Sequence, residues 1–177
     1  MIADTDQRFP DQEHELNIAP MAREDLERVV AIERQCFPTA WRRDAYEREL
    51  LNVSARYMVA RVGDRIVGYA GMWAIADEAH ITTLAVEPRC RRRGIGERLL
   101  SALLEATEDM GATRVTLEVR ESNTAARVLY EKYGFQVVAY MRAYYPDTGE
   151  DAVVMWLNPL RPPSQPHRDG ESRGGET

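Results

Sequence analysis

Residues 81–120 constrain the fold more than any other stretch of this chain. Ile81–Val86 is a short apolar run that Pro88 helps to end. Arg89, Cys90, Arg91, Arg92 and Arg93 follow, then Gly94-Ile95-Gly96, and Ile95, Leu99, Leu103, Ala106 and Met110 recur at helical spacing. Gly111 stands where a left-handed residue can end that helix. Residues Arg114 to Arg120 then alternate strictly, with Val115, Leu117 and Val119 on one face and Thr116, Glu118 and Arg120 on the other. A strand, a glycine turn, a long helix and a second strand in that order belong to an α/β sheet.

The turn also carries chemistry. Amides at the start of a helix have no intrahelical acceptor, and the helix dipole adds partial positive charge there. Gly94 and Gly96 let backbone come close to an anion, and the neighbouring arginines can add charge-assisted contacts to phosphate. The same residues also describe an ordinary strand-to-helix turn with a solvated basic surface. No Lys-Ser/Thr follows the glycines, as a P-loop requires, and the third glycine of a dinucleotide fingerprint is missing. The turn alone leaves both readings open.

The rest of the chain supplies the other elements. Leu16-Asn17-Ile18 reads as a strand ending at Pro20, and Leu26, Val29, Val30 and Glu33 give a helical stripe. Trp41, Ala45 and Leu50 form a second helix, with Thr39 as its N-cap. Tyr57–Ala60 and Ile66–Ala70 form a hairpin around Gly63-Asp64. Ser122-Asn123 caps a helix carrying Ala126, Leu129, Tyr130 and Tyr133, which stops at Gly134, and Gln136–Tyr140 and Ala152–Trp156 are the last strands. The order is β-α-α-β-β-β-α-β-α-β-β. Residues 1–13 are a polar arm without periodicity, residues 14–158 the folded unit, and residues 159–177 a Pro/Gly-rich tail that cannot bury a core.

Composition narrows the function classes. A net charge of −6 argues against bulk nucleic-acid binding and suits a cationic partner such as an amine. No apolar run approaches the roughly 20 residues of a membrane helix, and the start lacks the basic and apolar regions of a secretory signal. Two cysteines and three histidines, without paired spacing, support neither a disulfide framework nor a metal site. A reduced, cytoplasmic setting follows.

Three motifs together resolve the turn. Arg91-x-x-Gly94-x-Gly96, the Leu117-Glu118-Val119-Arg120-Glu121-Ser122-Asn123 block and Leu129-Tyr130-Glu131-Lys132-Tyr133-Gly134-Phe135 resemble, in order and spacing, the Gcn5-related N-acetyltransferases over residues 15–157. Ile32-Glu33, Phe37-Pro38, Trp41, Tyr144-Tyr145-Pro146 and Glu150–Met155 resemble the bacterial subgroup that acetylates ribosomal-protein alanines, the RimI type. Arg91 departs from the glutamine common in that subgroup, a change conservative for phosphate binding.

The resemblance implies a mixed, mostly antiparallel central sheet with helices on both faces, binding acetyl-CoA as acetyl donor. It implies that backbone groups of Leu84, Ala85 and Val86 hold the pantetheine arm and that Arg91, Arg92, Arg93, Gly94, Ile95, Gly96 and Glu97 surround the pyrophosphate. Asn123 and Tyr130 would contact the cofactor beyond it, with Glu118 as base and Tyr130 as acid. Glu33, Phe37, Trp41, Tyr144 and Tyr145 would wall the acceptor groove. The acceptor is then a protein or peptide N-terminus, that of a ribosomal protein, and the enzyme a monomer or weak dimer. Lysine side chains, a small amine, or a non-catalytic acetyl-CoA-binding module are the alternatives.

Read from the residues alone, a glutamate on a polar strand face is also a solvated glutamate, and Tyr130 beside Leu129 is also core packing. Likewise, His80 reads as structural or surface, and Glu33 as a solvent-facing helical residue. The chemistry limits what a base must do. About a tenth of protein α-amines are neutral at pH 7, against about four lysine side chains in ten thousand. A carboxylate of ordinary basicity would take a proton from an α-ammonium uphill by about 5 kcal/mol. Glu118 is therefore expected to act through water, to have a raised pKa, or to accept the proton after attack.

Overall fold

In the computed structural model, which describes residues 15–160, hydrophobic alternation and helical periodicity produce the expected order of elements. These are β1 (Leu16–Pro20), α1 (Leu26–Cys36), α2 (Arg43–Leu50), β2 (Ala55–Val62), β3 (Arg65–Ile75), β4 (Glu78–Val86), α3 (Ile95–Asp109), β5 (Arg114–Arg120), α4 (Thr124–Lys132), β6 (Gln136–Tyr145) and β7 (Glu150–Leu157). The strands form one sheet in the order β1-β2-β3-β4-β5-β7-β6. Every neighbouring pair is antiparallel except β4 and β5, which α3 connects as a crossover.

The two sheet faces carry different helices. Leu26, Val29, Ile32 and Tyr46 of α1 and α2 pack on Val59, Tyr69 and Ala85. Leu99, Leu100 and Leu103 of α3 and Tyr130 of α4 pack on Val115, Leu117, Val153 and Met155 on the opposite face. The alternation of β5 therefore puts its apolar residues under α3 and α4 and turns Thr116, Glu118 and Arg120 to the α1–α2 face. No helix among the described residues is long and apolar enough to cross a membrane.

Three boundaries differ from expectation. Thr39 does not cap α2: the helix starts at Arg43 after Arg42, and Trp41 lies ahead of it. The cause is Glu33, whose carboxylate accepts the Trp41 N–H at 3.1 Å and holds residues 37–42 outside the helix. Strand β6 runs five residues past Tyr140, so Tyr144 and Tyr145 end a strand and do not sit in a free loop. A positive φ at Ala143 and a register shift between Met141 and Tyr145 break the alternation that would have revealed this. The packed unit extends to Leu160, whose N–H donates to Thr113 O at 2.8 Å and whose side chain meets the core. The arm over 1–13 and the tail beyond Leu160 lie outside the described residues.

Candidate active site

The site begins where a sheet pairing stops. β4 and β5 are partners only over Glu78–Ile81 and Arg114–Leu117, yet β4 continues to Val86 and β5 to Arg120. Beyond Ile81 and Leu117 the two strands leave a crevice, and one edge of β4 lies open in it. Hydrogen bonding alternates along an antiparallel pair. Glu87 donates to Val67 O at 2.8 Å, so Val86 opposite Gly68, and Leu84 opposite Ala70, direct their backbone groups away from β3 and into the crevice. Ala85 faces the other way: its backbone belongs to the Tyr69 pairing and its side chain is buried. Of the three residues expected along the pantetheine arm, Leu84 and Val86 offer backbone groups to the crevice. Val86 offers only its N–H, since its carbonyl accepts from Arg91 Nε at 3.1 Å.

The open end of the crevice meets the N-terminus of α3. Gly94 is the N-cap with φ +76, a left-handed conformation that explains the glycine directly, and a Cβ there would meet nothing within 4 Å. The first helical acceptor is Gly94 O, taken by Arg98 N at 3.1 Å, so the Ile95, Gly96 and Glu97 amides precede any helical partner. A Cβ on Gly96 would point among Leu129, Leu84 and Val86, at 3.5 to 3.9 Å. Glycine there keeps the space between α3, α4 and the β4 edge clear. This amide cluster, with Arg92 and Arg93 exposed beside it, fits a pyrophosphate. The Arg91 guanidinium turns back instead, to Val86 O and to Cys36 Sγ at 3.6 Å. The Glu97 carboxylate pairs with Lys132 Nζ at 2.8 Å, which directs its charge away from an incoming anion.

Two ion pairs hold the end of β4 in place. Glu87 is buried and binds Arg28 and Arg65, each at 2.7 Å. Burial opposes its charge, but the two guanidiniums outweigh burial and hold the carboxyl below its ordinary range.

Glu118 is the first β5 residue beyond the last β4 pair, so it stands at the mouth of the crevice. Its Oε2 lies 2.6 Å from His80 Nε2 on the neighbouring strand. Sequence reasoning set His80 aside. The signal that could have found it is alternation: His80 lies between the core residues Ala79 and Ile81, on the same sheet face as Glu118.

Tyr130 approaches from α4. It is buried, packs its ring on Phe135 at 5.6 Å, and has its pKa raised, chiefly by burial and secondly by Tyr145. Asn123 precedes α4 and spends its side-chain oxygen as a cap on Ala126 N at 3.2 Å, leaving its NH₂ for a ligand. Asn123→Ala is accordingly expected to cost about 1 kcal/mol of stability, read as a lower midpoint in urea.

On the α1–α2 face, Glu118 opens into a groove of about 620 Å³ lined in part by Trp73, His80, Thr116, Met141, Val154 and Trp156. Glu33 does not stand in solvent as expected. It is 4% exposed, binds Tyr46 OH at 2.9 Å as well as Trp41 N, and burial raises its pKa. It therefore organises the α1–α2 connection. Phe37 is half-buried there, and Trp41 is exposed and leans on Tyr46 at 5.5 Å. At the far end Tyr144 is exposed and Tyr145 half-buried under the Arg120 guanidinium, 3.9 Å from its ring centre. Burial, foremost, pushes the Tyr145 hydroxyl up to about 12. The site thus brings together an amide cradle, an open strand edge, a carboxylate–imidazole pair and a buried phenol.

This chain is similar to known proteins. The family model described as acetyltransferase (GNAT) matches residues 26–135. The chain is 38% identical, over 79% of its length and 90% of the relative's, to the N-alpha-acetyltransferase RimI of Mycobacterium tuberculosis. It is 33% identical, over 79% of its length and 95% of the relative's, to the ribosomal protein bS18-alanine N-acetyltransferase of Escherichia coli K12. The crystal structure of the ribosomal-protein-alanine N-acetyltransferase from Escherichia coli superposes with a TM-score of 0.75 at 28% identity, covering 89% of this chain and all of that one.

Proposed function

The chain belongs to the acetyltransferase (GNAT) family, and from that premise we propose that it acetylates the N-terminal α-amine of a protein with acetyl-CoA, its acceptor being the N-terminal alanine of a small-subunit ribosomal protein. The observation that carries this reading is the crevice between β4 and β5, with the α3 amides at one end and Glu118 at its mouth. The names of the Mycobacterium tuberculosis and Escherichia coli relatives support the acceptor. Acetyl-CoA supplies a thioester carbonyl, and everything else is the work of this chain's residues.

The Ile95, Gly96 and Glu97 amides, with Arg92 and Arg93, hold the pyrophosphate. The Leu84 and Val86 backbone groups bind the pantetheine arm as an added strand would, and the Asn123 amide steadies it from α4. Glu118 receives the proton that the amine nitrogen sheds. Tyr130 would supply its hydroxyl to the thioester sulfur. Phe37, Trp41, Tyr144 and Tyr145 border the acceptor peptide, and Glu33 shapes that border from below. The described residues 15–160 hold the catalytic unit, and two free thiols, Cys36 and Cys90, suit a cytoplasmic protein.

Release of coenzyme A thiol with three peptides tests the acceptor class: one starting with Ala, one starting with Ser, and one N-terminally blocked with an internal lysine. At pH 7 the neutral fractions of the two amine types favour the α-amine by about 200-fold. The Ala-starting peptide should exceed the blocked lysine peptide in kcat/KM by at least that factor. Equal rates would point to a lysine acetyltransferase, and binding of acetyl-CoA without release from any peptide to a non-catalytic module.

A further inference from the structure

From Glu118 the groove runs down the sheet, away from the cofactor loop, and strand register sets its side chains in rows. Trp73 pairs with His80, His80 with Thr116 and Thr116 with Trp156, so these four form one row across β3, β4, β5 and β7. Two residues further from Glu118, Ile75, Glu78 and Arg114 form the next row. Successive rows on one face of a sheet are about 7 Å apart along the strands. The two tryptophans stand three strand spacings apart, about 14 Å, with the smaller His80 and Thr116 side chains between them. The result is a trough wide enough for one extended chain, open at Glu118. Tyr145 lies over Arg120, on the opposite side of Glu118 along β5.

The trough is apolar along its walls and acidic at its far end. Trp156 is 37% exposed and Ile75 69%, while Trp73 is fixed through Nε1 to Glu49 Oε2 at 2.6 Å. Glu78 and Asp77 share one guanidinium, that of Arg114, at 3.0 and 3.7 Å, and both remain open to solvent. The lining thus sets three carboxylates, Asp77, Glu78 and Glu118, against a single guanidinium. We propose that this trough is a further acceptor subsite: it takes the acceptor chain beyond its first residue, extended along β5, and selects a cationic side chain at its far end. The inference rests on the reading of the enzyme as an N-terminal acetyltransferase and adds to it which acceptors are preferred.

Strand geometry decides which acceptor residue meets which row. An extended chain advances about 3.3 Å per residue, the same rise as β5 beneath it. With its first residue at Glu118, the acceptor's third residue lies level with Thr116, between Trp73 and Trp156, and its fifth level with Arg114. An apolar third side chain buries against the tryptophan rings. A Lys or Arg at the fifth position meets Asp77 and Glu78, whose combined charge Arg114 only half offsets. A Glu there would be repelled by the same pair. The net charge of −6 draws in the same kind of acceptor from a distance.

The test uses full-length enzyme, acetyl-CoA and six-residue peptides that start with Ala and differ only at position five, as Lys, Gln or Glu. Wild-type kcat/KM should fall in that order, with about tenfold between Lys and Glu at low salt, and the spread should shrink in about 0.5 M salt. In the Asp77→Asn, Glu78→Gln double variant Arg114 is left unopposed, and the Glu peptide should overtake the Lys peptide. Trp156→Ala should lower the gain that Leu gives over Gly at position three. Each comparison is a ratio within one protein, so a general loss of activity in a variant leaves it readable, and the wild-type series stands without any variant. Equal kcat/KM for the Lys and Glu peptides in the wild type would overturn the proposal, as would a preference that survives in the double variant. Rates that follow enzyme concentration and ignore residue five would overturn it too, in favour of a trough filled by a second copy of the chain. Release from none of the peptides would overturn the N-terminal reading and this inference together, whereas equal release from all of them overturns this inference alone.

Discussion

Glu118→Gln is expected to lower kcat about a thousandfold at pH 7, within the 10²–10⁴ range of general acid–base catalysis, with KM for acetyl-CoA unchanged. The side chain stands at the crevice mouth, outside the amide cradle and the β4 edge, so its loss should spare cofactor binding. The pH dependence separates two roles. About a tenth of the α-amine is neutral at pH 7 and nearly all of it at pH 9. If Glu118 served only to deprotonate the free amine, raising the pH to 9 would recover at most about tenfold. Any deficit left at pH 9 measures proton removal after the nitrogen has attacked, which alkali cannot replace. A variant with wild-type kcat at all pH values would remove Glu118 from the chemistry.

Tyr130→Phe is expected to lower kcat about a hundredfold while KM for acetyl-CoA changes by less than about threefold. A phenol of ordinary acidity would protonate a thiolate uphill by about 2 kcal/mol. Burial, joined by Tyr145, raises the Tyr130 pKa further. Full proton transfer is thus the harder course, and the hydroxyl acts as a fixed hydrogen-bond donor to the charge growing on sulfur. The sign follows directly: a raised pKa keeps the phenol protonated throughout the working range, so no alkaline loss of activity should come from it. The phenylalanine ring preserves the contact with Phe135, which keeps the comparison one of chemistry. A raised KM with kcat retained would make Tyr130 a binding residue only.

Much of this architecture was legible in sequence because its signals are local. The alternation of Val115, Leu117 and Val119 fixed which face of β5 carries Glu118, and Gly111 and Gly134 marked helix ends where the structure has positive φ. Asn123 was readable as a cap for the same reason. What escaped notice depends on residues far apart in the chain. The end of β4–β5 pairing after Ile81 and Leu117 is a relation between strands 36 positions apart, and no local pattern encodes it. Glu33 read as a surface residue because its partners, Trp41 and Tyr46, arrive from the next element and make burial of a carboxylate tolerable. His80 escaped because a lone histidine in a strand says nothing until its neighbour across the sheet is known, and that neighbour is Glu118.

The most direct measurement locates the acetyl group. A peptide starting with a free Ala and carrying an internal lysine would be incubated with the enzyme and acetyl-CoA at pH 7, and the product sequenced by tandem mass spectrometry. A single acetyl on the α-nitrogen of the first residue is expected. Acetyl on the lysine side chain, or an unmodified peptide beside enzyme that binds acetyl-CoA, would contradict it.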